Sequence, residues 1–284
     1  MDNILEIKGL TKDFGRFKLN NVSLTLPKGF IMGFIGPNGA GKTTTIKSML
    51  GMLNYDSGEI YMLGRDARTD LSSIKQDIGI VMDDPYFHDE WTLANIQTAL
   101  SPFYKNWDKS KFADYLYKFK LEPKMKFKEL SKGMKTTLML SVALCHDAKL
   151  LVLDEPSAGL DPVARNELMD MLIDFISDEN RGVFFSSHIT SDLEKVADYI
   201  IFIENGELVY TGSKDDLMEK YLIVKGGPNE FEFKNKKLIK GLEKGSTGFS
   251  GLILNSDKNK FNDNLLFESP NIEEIMIRIY KEGK

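Results

Sequence analysis

The segment Gly36–Thr44 constrains this chain more than any other part of its sequence. It reads Gly-Pro-Asn-Gly-Ala-Gly-Lys-Thr-Thr and fits the pattern G-x-x-x-x-G-K-T. In such a loop the glycines let backbone N–H groups curve around phosphate oxygens, and Lys42 can reach the β- and γ-phosphates. The hydroxyl of Thr43 can ligate Mg²⁺. The segment therefore predicts a loop that binds a nucleoside triphosphate.

The residues on either side of this loop have the pattern that the motif requires. An apolar run of strand length, 29–35, precedes the loop, and apolar residues at helical spacing follow it from Thr44 to Leu50. In a strand, glycine-rich loop and helix arrangement, the positive N-terminal end of the helix points at the bound anion. A chance glycine turn would not need these flanks.

Composition and charge describe an ordinary globular chain. It has 284 residues, 42% of them hydrophobic, and a formal net charge of -5, which gives no support to a dominant nucleic-acid surface. The single cysteine, Cys145, cannot form an intrachain disulfide and is expected to be a small buried apolar side chain. The first residues do not resemble a signal peptide, and no run of about 18 apolar residues predicts a membrane span. We therefore expect any membrane role to depend on a partner.

A second motif lies at the end of a predicted buried strand. Leu150–Leu153 is continuously apolar, as in a strand covered on both faces, and Asp154 and Glu155 follow it directly. Ligands bind at the carboxyl ends of the strands in open α/β sheets. Triphosphate hydrolysis needs an acid that holds Mg²⁺ and an acid that polarises the attacking water, and these two residues offer both.

Three further motifs occur in a fixed order along the chain. Ser131-Lys132-Gly133 opens a helical run before the two acids, the segment 157–161 follows the acids, and His188 follows a later predicted strand. With these motifs, residues 4–220 resemble the ATP-binding subunits of ABC transporters. The segment 131–133 is similar to the signature loop of that family, 157–161 to its D-loop, and His188 to its switch histidine.

The resemblance implies a fold and a division of the chain. The fold is the α/β P-loop fold of ABC ATPases, with a RecA-like core, an antiparallel β subdomain, a helical subdomain at about 92–148 and a small C-terminal α+β extension. Residues 1–220 would form the ATPase domain. Residues 221–284 would form the extension, which is expected to serve regulation or dimerisation, or else to be an ordinary addition packed on the core.

The resemblance also implies the site residues. Glu155 would be the general base, and His188 would contact the γ-phosphate. The metal ligands would be Thr43, Asp83 and Asp154. The nucleotide-binding residues would be Phe14, Asn38, Gly39, Ala40, Gly41, Lys42, Thr43, Thr44, Ser131 and Gly133. Phe14 occupies the place of an aromatic residue that stacks on adenine, with Phe17 as a nearby rival, and either could instead be plain packing.

The implied cofactors are ATP and Mg²⁺, and the implied partners are protein subunits. Ser131 and Gly133 would cap the γ-phosphate of ATP bound to the opposite subunit, which implies a head-to-tail dimer with a second copy or with a similar ATPase subunit. The other partners would be transmembrane permease subunits, which would hold the chain at the cytoplasmic face of the membrane. Nucleic acid is not expected as a partner.

Three positions depart from the family pattern. Asp83 replaces a glutamine whose amide links Mg²⁺ to the membrane subunit, and an ionised aspartate can contact Mg²⁺ but cannot donate a hydrogen bond. Lys132 replaces a common glycine and either adds charge near the nucleotide or faces solvent, and Met134 replaces a common glutamine. These departures resemble a subgroup of bacterial exporters of antimicrobial and amphipathic peptides, which is an analogy rather than chemistry.

Other interpretations stay open. A soluble ABC ATPase that acts on ribosomes or DNA would carry similar motifs, and so would an ATP-gated regulator with little turnover. Import is also compatible with the sequence. The aromatic cluster of Tyr86, Phe87 and Trp91 is expected to contact the membrane subunit, or else to be local packing. His146, at the end of a predicted helix, is expected to interact favourably with the helix dipole.

Overall fold

The computed structural model describes residues 2–83, 87–230, 233–262 and 264–282. Its strands are β1 (Asn3–Asp13), β2 (Lys18–Pro27), β3 (Ile31–Ile35), β4 (Ser57–Met62), β5 (Arg65–Asp66), β6 (Ile78–Val81), β7 (Leu150–Asp154), β8 (Gly182–Ser187), β9 (Tyr199–Glu204), β10 (Glu207–Ser213), β11 (Tyr221–Gly226), β12 (Lys240–Gly245), β13 (Gly248–Leu254) and β14 (Leu266–Glu268).

The helices lie between these strands and at the C-terminal end. They are α1 (Lys42–Met49), α2 (Leu71–Ile74), α3 (Leu93–Leu100), α4 (Lys109–Lys118), α5 (Lys132–Leu144), α6 (Pro162–Ile176), α7 (Thr190–Val196), α8 (Lys214–Lys220) and α9 (Ile272–Glu282). Short 3-10 helices cover Ser101–Phe103, Phe127–Glu129, Phe233–Leu238 and Asn255–Lys260. In the ranges that the structure describes, no helix has both the length and the apolar character that a bilayer crossing requires.

A six-stranded sheet forms the centre of the molecule, in the order β10-β9-β3-β8-β7-β6. Strand β10 is antiparallel to β9, and the other pairs are parallel. Ile31 and Ile35 of β3 belong to one apolar cluster, whereas Met32 and Phe34 belong to another. Successive side chains of a strand point to opposite faces, so both faces of β3 are covered. This burial explains the continuous apolar runs of the sequence.

The parallel strands bring the motif-bearing segments to one edge of this sheet. Strand β3 leads into the phosphate loop, β7 ends at Asp154, and β8 leads to His188. Strand β8 pairs with β3 on one side and with β7 on the other. The acids and the histidine therefore lie beside the loop, as predicted.

Two smaller units pack around the central sheet. Strands β1, β2, β4 and β5 form an antiparallel sheet in the order β2-β1-β4-β5, which shares an apolar cluster with α1 and the central sheet. Helices α3, α4 and α5 enclose a separate cluster that contains Phe112 and Leu116. The predicted α/β P-loop fold with an antiparallel β subdomain and a helical subdomain is confirmed.

Polar caps fix where the helices of the helical subdomain begin. The hydroxyl of Thr92 and the carboxylate of Asp108 accept N–H groups at the starts of α3 and α4. Ser131 Oγ accepts the N–H of Met134 at 3.2 Å at the start of α5. Each cap satisfies an N–H group that the helix itself leaves unpaired. The N-terminus of α5 is thereby held at the predicted signature loop.

The C-terminal extension forms an antiparallel sheet in the order β12-β13-β11-β14, and α9 packs against it. Helix α8 ends at Lys220 and β11 begins at Tyr221, so no linker precedes the extension. Ile272 and Ile275 of α9 are buried in the apolar cluster of the central sheet. The N–H of Ile272 also donates to Glu194 of α7 at 2.7 Å. The extension therefore completes the central core on one side.

Two buried side chains at the end of α5 have perturbed pKa values. Cys145 is buried, as predicted, and its burial raises the pKa of the thiol to about 12. The ring of His146 is almost fully buried and stacks on Tyr104 with centroids 4.0 Å apart. Burial lowers the pKa of His146. Burial therefore favours the neutral ring, which weakens the expected interaction with the helix dipole.

Protonation of His146 is expected to destabilise the fold. In the unfolded chain its pKa is about 6.5, and in the folded chain it is lower. The unfolded state therefore binds the extra proton first as the pH falls below about 6.5, and the free energy of unfolding decreases. We predict that His146→Phe, which keeps a stacked ring, loses less stability than the wild type between about pH 7.5 and 5.5 in urea unfolding. Equal losses in the two proteins would contradict this prediction.

Candidate nucleotide site

The loop 36–41 holds its backbone in conformations that favour glycine. Gly39 has a φ of 79° and Gly41 a φ of 117°, both in the left-handed range. A Cβ on Gly41 would lie 3.2 Å from the side chain of Ile203, so a larger residue would press against the core. Helix α1 begins at the next residue, Lys42. The unpaired N–H groups of its first turn are available to an anion.

A cavity of about 650 Å³ opens at this loop. Its size suits a nucleotide, since small-molecule sites commonly measure about 300–1,000 Å³. The predicted site residues in its lining are Phe14, Asn38, Gly39, Gly41, Lys42, Thr43, Thr44, Asp83, Glu155 and His188. The remaining lining residues are Phe17, Pro37, Lys132 and Ala158. Motifs from distant parts of the sequence thus meet in one place, which we call the loop cavity.

Ala40 is a predicted binding residue that does not line the loop cavity. Its side chain is buried in the core. Its N–H donates to the carbonyl oxygen of Pro37 at 3.1 Å, and its own carbonyl accepts the N–H of Gly206 at 2.9 Å. Ala40 therefore anchors the loop to the core.

Glu155 lies between the loop lysine and the predicted switch histidine. Its Oε1 is 3.3 Å from Lys42 Nζ. Its Oε2 accepts the N–H of His188 at 3.1 Å and lies 2.6 Å from His188 Nδ1. Buried Lys42 also donates to the carbonyl oxygen of Gly36 at 2.8 Å. The two predicted catalytic residues are therefore in direct contact.

The backbone of Glu155 is held in an uncommon conformation. Its φ of 51° lies in the left-handed region, which non-glycine residues seldom adopt and which the surrounding structure must support. Its N–H donates to Ser186 Oγ at 3.0 Å, which supplies such support from the neighbouring strand.

Asp154 lies at the end of the site where a metal ion is expected. This carboxylate is buried, its Oδ2 accepts Thr43 Oγ1 at 2.9 Å, and its Oδ1 accepts Ser186 Oγ at 2.6 Å. Burial raises the pKa of Asp154, and the nearby charges of Glu155 and Asp83 raise it further. The two hydrogen bonds oppose these effects because they favour the ionised carboxylate.

The residues around Asp154 fit a magnesium ion that arrives with a nucleotide. Mg²⁺ is usually bound by one or two carboxylates together with substrate phosphates. Across the described ranges no group of three or more His, Cys, Asp or Glu side chains is arranged to hold a metal. Thr43 and Asp154 nevertheless present oxygen atoms next to the phosphate loop. With Asp83 they would hold the ion, which would neutralise charge on the phosphates.

Ser186 is a site residue that no sequence motif indicated. It is fully buried, and its hydroxyl donates to Asp154 and accepts from the N–H of Glu155, so it connects the two acids. The available signal was the polar pair Ser186-Ser187 at the end of the apolar run Val183–Phe185. Polar residues that end a buried strand at the ligand edge of a sheet are candidates for such a role.

Ser131 and Gly133 line a second cavity, of about 310 Å³, which Gly159 and Asp161 of the predicted D-loop also line. Neither Ser131 nor Gly133 lines the loop cavity. A Cβ on Gly133 would lie 3.2 Å from the carbonyl oxygen of Gly159, so this glycine lets the two segments touch. We call this second space the signature cavity.

Lys132, which lies between Ser131 and Gly133 in the sequence, lines the loop cavity instead of the signature cavity. Its Nζ is 2.5 Å from Asp83 Oδ1, and about half of each side chain is exposed. Both residues line the loop cavity. Of the two alternatives for Lys132, the structure therefore favours added charge near the nucleotide over a side chain that faces only solvent.

Phe14 is the more accessible of the two aromatic candidates. Its side chain is 49% exposed, whereas Phe17 is partly buried against the core. The two ring centroids are 6.3 Å apart. An exposed ring at the edge of the loop cavity is suited to stacking on a base, and Phe17 fits the packing role.

A third cavity, of about 500 Å³, lies between the helical subdomain and the central sheet. We call it the subdomain groove. Its lining is mostly apolar and includes Met82, Phe87 and Leu100, and it reaches Asp83 and Asp154. Phe87 also packs against Phe127 with ring centroids 5.5 Å apart.

Phe87 and Trp91 of the predicted aromatic contact cluster have different surroundings. Phe87 contributes to local packing and to the groove wall. Trp91 is 39% exposed. Tyr86 lies outside the described residues.

Comparison with known proteins identifies the family of this chain. The family model for ABC transporter matches residues 19–158. The lantibiotic transport ATP-binding protein SrtF of Streptococcus pyogenes is 36% identical over 220 residues, which cover 75% of this chain and 93% of that protein. The chain belongs to the ATP-binding proteins of ABC transporters.

Two further matches support the assignment of the chain to this family. The bacitracin transport ATP-binding protein BcrA of Enterococcus faecalis is 32% identical over 217 residues, covering 74% of this chain and 69% of that protein. A solved structure described as the ATP binding subunit of an ABC transporter has a TM-score of 0.69 and 26% identity, and covers 75% of this chain and 91% of its own. The chain is thus an ATP-binding subunit of this family and an ATPase.

Ser186→Ala is expected to lower ATP turnover. The change leaves an oxygen of buried Asp154 and the N–H of Glu155 without their partner, and an unpaired buried group costs about 1–3 kcal/mol. We expect kcat to fall about ten- to a hundredfold, the loss typical of residues that orient metal ligands, because Ser186 holds Asp154, which is the expected ligand of Mg²⁺. Steady-state ATPase assays and urea unfolding measure the two effects.

The matched control is Ser141→Ala. Ser141 is also fully buried, and its hydroxyl donates to the carbonyl oxygen of Thr137 at 2.8 Å in the helical subdomain. It should lose stability but keep kcat. Equal losses of turnover in the two variants would contradict a specific role for Ser186.

Proposed function

We propose that this chain hydrolyses ATP in sites shared between two ATPase subunits and thereby drives transport through transmembrane permease subunits. The observation that carries the proposal is that the phosphate loop and Ser131 and Gly133 of one chain line separate cavities. A single chain therefore offers two half-sites. In a head-to-tail pair, each phosphate loop meets the signature loop of the other subunit, and two ATP molecules are enclosed. The second subunit is another copy or a similar ATPase.

The signature end of α5 suits the terminal phosphate of a nucleotide. Helix α5 spans 13 residues and begins at the Ser131 cap. The N-terminus of such a helix attracts negative charge through its dipole and its unpaired N–H groups. We propose that Ser131 and Gly133 contact the γ-phosphate of ATP bound to the opposite subunit.

Nucleotide binding exchanges partners within the loop cavity. In the structure Lys42 is paired with Glu155. The β- and γ-phosphates attract Lys42, which frees Glu155 to accept a proton from the attacking water. His188, already in contact with Glu155, is close enough to help hold that arrangement. Phe14 stacks on the adenine in this proposal, and Mg²⁺ is held at Thr43, Asp154 and Asp83.

The cargo is proposed from the relatives. One of them is described as a lantibiotic transport ATP-binding protein and another as a bacitracin transport ATP-binding protein. The departures at Asp83, Lys132 and Met134 resemble those of exporters of antimicrobial and amphipathic peptides. We therefore propose export of peptides, antibiotics or other amphipathic compounds, with the chain at the cytoplasmic face of the membrane.

The subdomain groove is the proposed contact for a membrane subunit. Its mostly apolar lining suits an apolar segment of a protein partner. It borders Asp83 and Asp154, so a partner seated there adjoins the expected metal position. Movement of the helical subdomain during closure would then reach the membrane subunit.

The C-terminal extension is proposed to regulate the ATPase or to contact the second subunit. Helix α9 packs on α7, the helix that follows His188. The position of α7 therefore depends on the extension. Leu266 and Ile277 are 55% and 44% exposed, and they supply apolar surface for a contact.

Glu155→Gln should bind ATP but hydrolyse it at least about a hundredfold more slowly, because an amide cannot serve as the general base. Lys42→Ala should lose ATP affinity, because the cation that reaches the phosphates is removed. Equilibrium binding of a fluorescent ATP analogue and steady-state phosphate release measure these effects. Normal turnover of the first variant would refute the role of Glu155, and unchanged binding by the second would refute that of Lys42.

Mixed dimers test the shared site. Lys42→Ala and Ser131→Arg subunits should each be inactive alone. In a head-to-tail pair of the two variants, one site combines the intact Lys42 of one chain with the intact Ser131 of the other. An equal mixture should therefore recover about a quarter of wild-type turnover, since half of the dimers are mixed and each keeps one of two sites.

The control mixture combines Lys42→Ala with Glu155→Gln. Both residues act in the same half-site of their own chain, so each mixed dimer keeps no intact site. This mixture should stay inactive. Recovery in both mixtures, or in neither, would contradict the proposed arrangement.

A further inference from the structure

Two of the positions that depart from the family pattern contact each other. Asp83 follows β6 of the central sheet, and Lys132 is the first residue of α5 in the helical subdomain. Lys132 Nζ lies 2.5 Å from Asp83 Oδ1. The pair therefore joins two units of the fold at the loop cavity, and its two members carry opposite charges.

The side chain of Lys132 reaches Asp83 by passing the D-loop. A Cβ on Gly159 would lie 3.3 Å from Lys132 Cδ and 3.4 Å from Cγ. The absence of a side chain at Gly159 leaves room for the lysine stem. Lys132 therefore lines the loop cavity of its own chain, whereas its neighbours Ser131 and Gly133 line the signature cavity.

The pair balances the charge of the loop cavity. Among the described residues of its lining, Lys42 and Lys132 are cationic and Asp83 and Glu155 are anionic. Lys42 contacts Glu155, and Lys132 contacts Asp83. Without Lys132 this lining would carry one excess negative charge. A triphosphate, which is itself strongly negative, would then be repelled.

We propose that Lys132 is a positioning residue for nucleotide binding, because it holds the Asp83 carboxylate at the loop cavity and neutralises it so that ATP can enter. The inference rests on the proposed function and adds to it, since it gives Lys132 a role toward the ATP of its own chain. An exposed ion pair contributes little to the free energy of unfolding. The effect of Lys132 is therefore expected in nucleotide affinity rather than in folding.

The test compares ATP affinity in Lys132→Met, Asp83→Asn and the double variant, measured with a fluorescent ATP analogue in EDTA. EDTA removes Mg²⁺, so the proposed metal role of Asp83 does not contribute. Lys132→Met should bind about three- to tenfold more weakly, and Asp83→Asn at least as tightly as the wild type. The double variant should return to near wild-type affinity, because both charges are gone. Higher salt should reduce the difference between Lys132→Met and the wild type.

Two further variants separate charge from local structure. Lys132→Arg keeps the charge and should bind ATP within about twofold of the wild type. Lys135→Met removes a charge from the same helix at a residue that does not line the loop cavity and whose ammonium lies 4.4 Å from the ring centroid of Phe127. It should also bind within about twofold of the wild type. Thermal unfolding midpoints show whether each variant is folded.

The possible outcomes separate this inference from the proposed function. If the wild type binds no ATP, the proposed function itself fails. If the wild type binds ATP and Lys132→Met binds it equally well, Lys132 has no role in nucleotide binding. If the double variant stays as weak as Lys132→Met, neutralisation of Asp83 is not the cause. Either of the last two results overturns the inference and leaves the proposed function standing.

Discussion

The buried carboxylate of Asp154 is the point on which the site depends. Its two oxygens accept Thr43 at the start of α1 and Ser186 at the end of β8, while its own backbone ends β7. Three segments that are distant in the sequence are thereby tied to one residue. This is possible because β8 lies between β3 and β7 in a parallel sheet, so all three carboxyl ends meet at one edge. In this strand order a single strand, β8, separates the strand that leads into the phosphate loop from the strand that ends at the acids.

The phosphate loop and the strand before Asp154 could be predicted because their signals are local, whereas the subdomains and the roles of Ser131, Gly133 and His188 were expected only from the family resemblance. The glycine spacing of 36–41 and the continuous apolar run before Asp154 each indicate a structure within a few residues. Ser186 was missed because a serine at a strand end has no motif of its own. The contact of Lys132 with Asp83 depends on where the helical subdomain lies relative to the sheet, and neither residue indicates its partner. The neutral state of His146 likewise depends on burial, which the sequence position alone did not indicate.

The charged side chains of the loop cavity are paired with one another. Lys42 is almost fully buried, and a buried cation without a partner is strongly unfavourable. Glu155 and the carbonyl of Gly36 satisfy it. The second pair, Asp83 with Lys132, is more exposed and weaker. The phosphates of a bound nucleotide would compete with Glu155 for Lys42, whereas Lys132 would keep its contact with Asp83.

The close approach of Gly133 to the carbonyl of Gly159 joins the signature loop and the D-loop into one surface. Because a Cβ at position 133 would press on that carbonyl, the two loops cannot be shaped independently of each other. A partner subunit would therefore meet a single continuous face. Whether two ATPase subunits can pair would then depend on the shape of this whole face. Exchanging one of the two loops between related subunits would disturb the other loop.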